Sequence, residues 1–298
     1  MSCTICTSQT TRISDYYSDN IYTWCTNCGN YGIHAAVKRA LVAEKIHPHS
    51  ALLCFDIGCN GNGSDKIDGY RFHALHGRVI PFAAGAAVAN SRVKVLAFGG
   101  DGGTFGEGIG HLIHAIRGNY NITFIFHNNS NYGLTTGQAS PTTRPDMKMN
   151  SSPDGISSNM LHPMRLVLSL DSTFVARSFS GDVKHMTNVI QQGLQHPGFS
   201  FIEILQSCPT FNKTTPHEWY QQRVYDVQTS IENYDPHNLV WAREIAEDIT
   251  DKIAVGVLYK RENSIPQIKN QPNRQQVNTE LVDEVKNYPI EELVAKFR

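Results

Sequence analysis

Two cysteines, Cys25 and Cys28, form a C-x-x-C motif directly before a stretch with the periodicity of an amphipathic helix. A disulfide, a zinc site, a redox dithiol and an iron–sulfur cluster all use this spacing. The N-terminal segment MSCTICTSQTTRISD lacks the apolar core of a signal peptide, which predicts a cytoplasmic protein. In that compartment the seven cysteines of the chain favour thiols or metal ligands over structural disulfides. The C-x-x-C motif alone does not distinguish these four possibilities, so other residues of the chain are needed to choose among them.

A glycine-rich segment in the middle of the chain indicates a phosphate site. The segment VLAFGGDGGTFGEGIGHLIHAI combines a predicted strand, a turn that holds Asp101 and a predicted helix, and the next strand leads into FHNNSNYGLTTGQ. Glycines let backbone N–H groups approach a phosphate, and a helix N-terminus favours its negative charge. Asp101 could hold a divalent cation, with Asn128 or Asn129 adding a neutral oxygen ligand. GDG alone is commonly a tight turn, but the asparagine pair favours a diphosphate site bridged by Mg²⁺.

Alternating strand and helix patterns provide the scaffold for these motifs. Short apolar runs rich in β-branched and aromatic residues predict strands at Ala51–Ile57, Lys94–Phe98, Ile122–His127 and Phe199–Leu205. Helical patterns lie at Ile33–Ile46, Phe82–Ala89, Ile109–Arg117 and Val183–Leu194. The alternation predicts an α/β fold, with a mostly parallel sheet and helices on both faces. Such sheets bind ligands at the carboxyl ends of their strands, where Asp101 and the asparagine pair follow.

Composition divides the chain into three predicted parts. They are a flexible N-terminal tail over residues 1–20, a ligand-binding domain over residues 21–235, and a C-terminal helix, extended arm and docking segment over residues 236–298. Inside the domain, Gln138–Met164 is rich in Ser, Pro and Asn without clear periodicity, so it is either a disordered loop or a functional lid. The net charge of −1 gives no reason to expect a nucleic acid or an anionic membrane as partner. No apolar run approaches the roughly 20 residues of a transmembrane helix.

Successive blocks of the sequence resemble one enzyme family. They read WCTNCGNYGI, DIGCNG, FHALHGRVIPFAAGAAVAN, GGDGGTFGEGIGHLIHAIR, NNSNYGLTTGQASPTT and SCPTFN, in that order between about Tyr22 and Asn212. The GDG segment followed by an asparagine pair resembles the thiamine diphosphate motif. The whole series resembles the β subunit of 2-oxoacid:ferredoxin oxidoreductases, which implies the thiamine-diphosphate-binding fold. The resemblance is only loose after about Asp235.

The resemblance implies roles for the cysteines. In the family, the C-x-x-C motif and two later cysteines hold one 4Fe–4S cluster, and their matches here are Cys25, Cys28, Cys59 and Cys208. From the cysteines alone, a Cys₄ zinc site would be an equal interpretation. The cluster is favoured because zinc cannot accept an electron from the thiamine site beside it. Cys3 and Cys6 are predicted to be bystanders in the tail, and Cys54 is predicted to be a small core residue.

The same resemblance implies the cofactor site. Asp101, Asn129 and the backbone carbonyl of Asn131 match the Mg²⁺ ligands of the family. The positions around thiamine diphosphate match Ile57, Gly58, Cys59, Asn60, His76, Gly102, Gly103, Gly133 and Leu134. His76 could instead be a buried structural histidine. His73 is a weaker candidate than His76 for a ligand of the cofactor. His111 and His114, on the helix after GDG, are interpreted as structural.

Two positions depart from the family pattern. Some relatives carry lysines where this chain has Asn62 and Thr136. A lysine offers a positive charge to a carboxylate or a phosphate, whereas Asn and Thr offer only hydrogen bonds. The identity of the substrate therefore does not transfer with the resemblance, whereas the cofactor assignments do.

The function implied by the resemblance is that of the β subunit of an oxidoreductase active only with its α subunit. Thiamine diphosphate would be the electron sink for decarboxylation of a 2-oxoacid, either pyruvate or 2-oxoglutarate. The cluster would pass electrons to ferredoxin and coenzyme A would take the acyl group, or the reaction would run in reverse as a reductive carboxylation. The glutamate that activates the cofactor belongs to the α subunit in this family, so no catalytic residue is assigned here.

Two other functions stay open at this point. A self-contained thiamine-dependent decarboxylase or carboligase with a structural zinc would need a second thiamine-binding domain, for which 298 residues leave little room. A non-catalytic iron–sulfur electron-transfer protein would have lost thiamine binding, and the intact GDG and asparagine segments count against it.

Overall fold

The structure is a computed structural model that describes residues 10–285 and 290–297. The described chain forms one eight-stranded sheet. The strands are β1 (Ala51–Phe55), β2 (Tyr70–His73), β3 (Lys94–Gly100), β4 (Ile122–Asn128), β5 (Phe174–Phe179), β6 (Ser200–Leu205), β7 (Val224–Asp226) and β8 (Ile253–Lys260). Their order in the sheet is β2-β1-β3-β4-β6-β5-β8-β7. Only the β5–β8 pair is antiparallel, so the predicted α/β fold with a mostly parallel sheet is confirmed.

Helices cover both faces of the sheet. They are α1 (Asn30–Ala43), α2 (Val79–Ala89), α3 (Ile109–Gly118), α4 (Pro163–Ser169), α5 (Val183–Gln195), α6 (His217–Gln221), α7 (Val227–Ser230), α8 (Leu239–Ala246), α9 (Gln267–Asn270) and α10 (Ile290–Ala295). Apolar residues of α1 and α5 form one core layer, and those of α2, α3, α4 and α8 form the other. None of the helices in the described ranges has the length and apolar composition needed to cross a bilayer.

The central strands are buried on both faces. In β4, Phe124 and Phe126 pack into the layer with α2 and α3, while Ile125 between them packs into the opposite layer. This follows from the two-residue period of a strand, which points successive side chains to opposite faces. The continuous apolar pattern therefore located β1, β3, β4 and β6 correctly, and the four predicted helices are α1, α2, α3 and α5.

The other strands were not predicted from the sequence. All residues of β2 are exposed at the edge of the sheet, so they lack the apolar pattern of a buried strand. In β5, the charged Arg177 interrupts the apolar run. The strand β8 lies in residues 236–298, for which the sequence predicts a helix, arm and docking segment, and it joins the main sheet. The same part contains α8, and α10 lies in the charged stretch at its end, while its division into a helix, an arm and a docking segment stays a prediction.

The predicted N-terminal tail is packed where the structure describes it. Residues Ile13–Tyr16 form a 3₁₀ turn, and Tyr16 is fully buried. Its hydroxyl donates to the backbone oxygen of Ile46 at 2.7 Å. The part of the tail from residue 10 onward therefore belongs to the domain, whereas Cys3 and Cys6 lie outside the described residues.

An ion pair lies inside the sheet between two neighbouring strands. Arg177 on β5 and Glu203 on β6 are register partners, and Arg177 Nε donates to Glu203 Oε2 at 2.6 Å. Their side chains are only 1% and 2% exposed. The other carboxylate oxygen, Oε1, accepts from Asn128 Nδ2 of β4 at 2.7 Å. Three strands are therefore joined by side chains as well as by their backbone ladders.

Glu203→Gln should destabilise the fold strongly, because it leaves the buried Arg177 without a counter-charge. Removing one partner of a buried pair costs about 3–5 kcal/mol. Urea unfolding should show the midpoint fall with an unchanged slope. The control is Asp283→Asn, which breaks an exposed pair with Arg92. That change should cost about 1 kcal/mol or less. Equal losses in the two variants would contradict a structural role for the buried pair.

Candidate functional site

Four chain segments meet at one edge of the sheet. Asp56–Asn60 follow β1, Asp101 follows β3, Asn129 follows β4, and Gln206–Cys208 follow β6. These strands are parallel and adjacent, in the order β1-β3-β4-β6. Their carboxyl ends therefore point the same way, and the residues after them are close together although they are distant in the sequence.

A cavity opens at this edge, and we call it the glycine cavity. Its lining contains every residue that the sequence pattern assigns to thiamine diphosphate: Ile57, Gly58, Cys59, Asn60, His76, Gly102, Gly103, Gly133 and Leu134. Asp101, Asn129 and Asn131, the predicted Mg²⁺ ligands, line the same cavity. The fold thus brings the predicted set together, although its binding role stays a prediction.

Glycines are required where the cavity wall is tightest. A Cβ atom on Gly102 would lie 2.1 Å from the Tyr132 ring, and one on Gly103 would lie 2.1 Å from Asp56 Oδ2. Both glycines belong to a wide π-helical turn, Gly102–Glu107, which starts directly after Asp101. Turns of this kind are rare and often occur at functional sites. The wall therefore presents bare backbone, as a diphosphate cradle needs.

Asp101 is buried at the start of that turn, with 2% of its surface exposed. Its Oδ2 accepts hydrogen bonds from Ser140 Oγ at 2.6 Å and Thr142 Oγ1 at 2.7 Å. Burial raises the pKa of Asp101 to about 6, against the effect of these two bonds. Among the described residues no Lys or Arg forms an ion pair with this carboxylate. A cation bound at Asp101 would therefore relieve an uncompensated buried charge.

The two asparagines of the NN segment face different surroundings. Asn128 directs both polar atoms into the protein: Nδ2 donates to Glu203, and Oδ1 lies within hydrogen-bond distance of Thr142 Oγ1, at 3.0 Å. Asn129 lines the glycine cavity, and its Oδ1 accepts from the backbone N–H of Asn131 at 3.2 Å. Asn129 is therefore the member of the pair that a cation in the cavity could reach.

The loop Gln138–Met164 is packed against the site. Ser140, Thr142 and Thr143 are buried, as are Met147 and Met149. Thr142 Oγ1 lies within hydrogen-bond distance of both Asp101 and Asn128. The loop thereby completes a series of polar contacts that runs from Arg177 through Glu203, Asn128 and Thr142 to Asp101. Of the two interpretations left open by the sequence, this part of the loop is an ordered wall of the site and not a disordered segment.

Several polar groups at the site were not predicted from the sequence. His127 is fully buried in the cavity wall; its Nδ1 lies 3.0 Å from Asn30 Oδ1, and its Nε2 has no partner among the described residues. Burial lowers the pKa of His127 to about 3, so its imidazole is neutral. Asp56 Oδ1 accepts from the backbone N–H groups of Ile57 and Gly77, while Oδ2 likewise has no partner in the described chain. Unpaired buried atoms of this kind need an explanation, and a polar ligand in the cavity would supply one for His127, which is part of the lining.

Of the four histidines weighed from the sequence as ligands or structural residues, one lies at the glycine cavity. His76 lines the glycine cavity, and its Nδ1 lies 3.5 Å from Glu107 Oε2. His73 is exposed on the edge strand β2 and is outside the cavity lining. His111 and His114 line a separate groove between α2 and α3. A ligand role at this site is therefore open to His76 and not to the other three.

A second cavity adjoins the first, and we call it the cysteine cavity. Its lining includes all four cysteines assigned to the cluster: Cys25, Cys28, Cys59 and Cys208. The two cavities share a wall made of Cys59, Asn129, Gly133 and Leu134. Within residues 10–285 and 290–297, no three His, Cys, Asp or Glu side chains converge closely enough to hold a single metal ion. The four thiols therefore surround a space and do not meet at a point.

Burial disfavours the charged form of two of the thiols that line this cavity, Cys28 and Cys59. Burial raises the pKa of Cys28 to about 11. Burial, followed by the neighbouring Cys28, Cys208 and Cys25, raises the pKa of Cys59 to about 12. Without a cation these groups would stay protonated, whereas iron would ionise them. Cys54 is buried in the core on β1, away from this cavity, as predicted.

The two departures from the family pattern also lie at the cysteine cavity. Asn62 and Thr136 are both part of its lining. Asn62 Nδ2 donates to Thr23 Oγ1 at 2.6 Å. Thr136 has a φ of 77°, which a β-branched residue rarely adopts. The lysine-to-neutral differences therefore remove positive charge from the surroundings of the cysteines.

Two family models match the chain. The first is described as "Thiamine pyrophosphate enzyme, C-terminal TPP binding domain" and matches residues 56–204. The second describes the C-terminal region of the beta chain of pyruvate ferredoxin oxidoreductase and matches residues 208–275. This second match extends the similarity to the family well beyond residue 235, where the sequence blocks resemble it only loosely.

Named relatives agree with these models. The chain is 37% identical to "2-oxoacid:ferredoxin oxidoreductase subunit beta" of Saccharolobus solfataricus, over 80% of this chain and 77% of that one. It is 30% identical to "2-oxoglutarate synthase subunit KorB" of Archaeoglobus fulgidus, over 80% of this chain and 91% of that one. Among solved structures, it resembles a 2-oxoglutarate:ferredoxin oxidoreductase from Magnetococcus marinus with 2-oxoglutarate, coenzyme A and succinyl-CoA bound, with a TM-score of 0.86 and 32% identity. That match covers 97% of each chain.

Asp101→Asn should stabilise the ligand-free protein and abolish its response to Mg²⁺ and thiamine diphosphate. Asparagine keeps an oxygen acceptor for Ser140 and Thr142 but removes the buried charge. At pH 8 the melting temperature of the ligand-free variant should exceed that of the wild type by roughly 2–4 °C, equivalent to about 1 kcal/mol. Added Mg²⁺ and cofactor should raise the melting temperature of the wild type only.

The matched control is Asp146→Asn, which changes an exposed carboxylate on the same loop. It should retain the full ligand-induced rise in scanning fluorimetry. If Asp101→Asn kept that rise as well, Asp101 would not be a ligand of the cation.

Proposed function

Because the chain belongs to the family of 2-oxoacid:ferredoxin oxidoreductase β subunits, we propose that it forms the cofactor-binding half of such an enzyme. With an α subunit it oxidatively decarboxylates a 2-oxoacid, pyruvate or 2-oxoglutarate, to an acyl-CoA and CO₂, or runs the reverse carboxylation. The observation that supports this most directly is the shared wall of the two cavities, because the reaction needs its organic cofactor and its electron acceptor side by side.

We assign the glycine cavity to thiamine diphosphate and Mg²⁺. Asp101, Asn129 and the backbone carbonyl of Asn131 would hold the cation, a set of oxygen ligands that Mg²⁺ prefers. The bare backbone at Gly102 and Gly103 admits the diphosphate, as the clashes expected from any side chain there indicate. Bound thiamine diphosphate supplies an electron sink for the loss of CO₂. The neutral His127 offers the unpaired Nε2 to a hydrogen-bond donor of the ligand.

We assign the cysteine cavity to one 4Fe–4S cluster with Cys25, Cys28, Cys59 and Cys208 as its ligands. Four thiolates are what such a cluster requires. The four cysteines come from three segments of the chain, and hydrogen bonds of the backbone and of side chains join these segments. Gly29 donates its N–H to the Ser207 oxygen at 3.4 Å, and Trp24 Nε1 donates to the Cys59 oxygen at 2.7 Å. Cys59 would touch both groups, which gives electrons a short route from the glycine cavity.

An α subunit is expected to complete the site. Exposed apolar side chains lie at the glycine cavity: Leu134 of its lining is 52% exposed, and Leu75, which directly precedes His76 of the lining, is 79% exposed. Exposed apolar patches commonly mark protein interfaces. This supports a partner that covers the mouth of the cavity and carries the carboxylate for the aminopyrimidine ring.

The cluster assignment predicts the metal content of the chain. Anaerobically purified protein should contain about four iron and four sulfide per chain. Replacement of any one of the four ligands by serine (Cys25→Ser, Cys28→Ser, Cys59→Ser or Cys208→Ser) should bleach the visible absorption of the cluster. Cys54→Ala is the control, because Cys54 is a buried cysteine outside the cavity, and it should leave the spectrum intact. Stoichiometric zinc without charge-transfer absorption would instead support the zinc-containing decarboxylase.

The subunit assignment predicts that the chain is inactive alone. Isolated protein should show a cluster spectrum without coenzyme A-dependent oxidation of pyruvate or 2-oxoglutarate. Addition of the α subunit should restore activity with ferredoxin or a viologen dye as acceptor, because both ends of the cofactor must be held in place; a small misplacement can cost ~100-fold in rate. Full turnover by the isolated chain would refute the subunit assignment.

A further inference from the structure

The side chain of Gln206 lies between the two cavities. It follows β6 directly, is only 1% exposed, and forms part of the lining of the glycine cavity. Its Nε2 donates a hydrogen bond to Cys28 Sγ on the other side, at 3.6 Å. Its backbone N–H donates to the oxygen of Asn128 at 2.8 Å, which fixes the residue to the end of β4. Gln206 therefore connects the wall of one site with a thiol of the other.

The chain makes room for this side chain at Gly29. A Cβ atom on Gly29 would lie 2.6 Å from Gln206 Cγ and 2.6 Å from Ser180 Oγ. Gly29 comes directly after Cys28, so the glycine that ends the cysteine turn also lets Gln206 reach the Sγ atom. Gln206 has no role in the assignments above, and simple packing does not require an amide donor at this place.

The electrostatic surroundings of the thiols give this hydrogen bond weight. The described residues that line the cysteine cavity include no Lys, Arg, Asp or Glu. In such an environment a hydrogen bond to a charged sulfur is stronger than it is in water. Hydrogen bonds to the sulfurs are one of the factors that set the reduction potential of an iron–sulfur cluster.

We propose that Gln206 raises the reduction potential of the cluster through its N–H···S bond to Cys28, an inference that rests on the proposed function. One electron at a time comes from the 2-oxoacid that is oxidised in the glycine cavity. A cluster held by the four cysteines would accept this electron and pass it to ferredoxin, and a second electron from the same 2-oxoacid would follow by the same route. The added electron makes the sulfurs more negative, so an N–H donor stabilises the reduced state more than the oxidised state. Gln206 thereby makes the first electron transfer more favourable.

The test is a potentiometric titration of the complex of this chain with its α subunit, followed by electron paramagnetic resonance of the reduced cluster. Gln206→Met keeps the length of the side chain and removes the donor. At the potential where the wild-type cluster is half reduced, the ratio of reduced to oxidised cluster in this variant should fall several-fold. Gln206→Glu, the second variant, places a carboxylate beside Cys28 and should lower the ratio further. Ser207→Ala changes the next buried residue without touching Cys28 and should stay within about twofold of wild type.

The outcomes separate the inference from its premise. An unchanged ratio in both Gln206 variants, with iron and sulfide content intact, would overturn the tuning role. Loss of the cluster in both variants, with the Ser207→Ala cluster retained, would assign Gln206 to cluster assembly and would overturn it as well. Absence of a cluster from the wild-type complex would instead refute the proposed function.

Discussion

The ion pair between Arg177 and Glu203 lies within the sheet, where neither side chain reaches solvent. The second carboxylate oxygen of Glu203 accepts a hydrogen bond from Asn128. The hydroxyl of Thr142 lies within hydrogen-bond distance of both Asn128 and Asp101. A buried charge is tolerable only when it is paired and hydrogen-bonded, so this chain of contacts joins β5 and β6 to the end of β4 and to the loop after β4. Asp101 is therefore held in position by residues that do not face the glycine cavity.

The two cavities depend on the same few residues. Cys59 and Gly133 stand in the shared wall, and a Cβ atom on Gly133 would lie only 3.1 Å from Cys59 Sγ. The close approach keeps the wall thin. A thin wall between an organic cofactor and a cluster suits electron transfer, and it also explains why the turn after β1 has to serve both sites. Changes at these positions would disturb both sites at once.

The loop after β4 illustrates how a polar, irregular segment can be well ordered. Ser140, Thr142 and Thr143 make hydrogen bonds with Asp101 and with the backbone of Ser130, so their polar groups are satisfied inside the protein. The buried Met147 and Met149 add apolar contacts. Such a segment has no secondary-structure period that a sequence pattern could reveal, because its order comes from contacts with other parts of the chain.

The sequence by itself determined the α/β class, the central strands β1, β3, β4 and β6, and the residues that meet at their carboxyl ends. Those strands are buried on both faces and read as continuous apolar runs, and family motifs such as GDG and C-x-x-C are local in the sequence. Only the tertiary structure decided the rest. The strand β5 was not predicted because Arg177 interrupts its apolar pattern. The charge of Arg177 is compensated by Glu203, which lies on another strand. His127 and Gln206 carry no motif, and their positions at the glycine cavity follow from contacts between residues that are distant in the sequence. For the adjacent Asn128 and Asn129, the family resemblance favoured Asn129 as the cation ligand. The structure adds a physical reason, because Asn128 is held in the polar network whereas Asn129 lines the cavity.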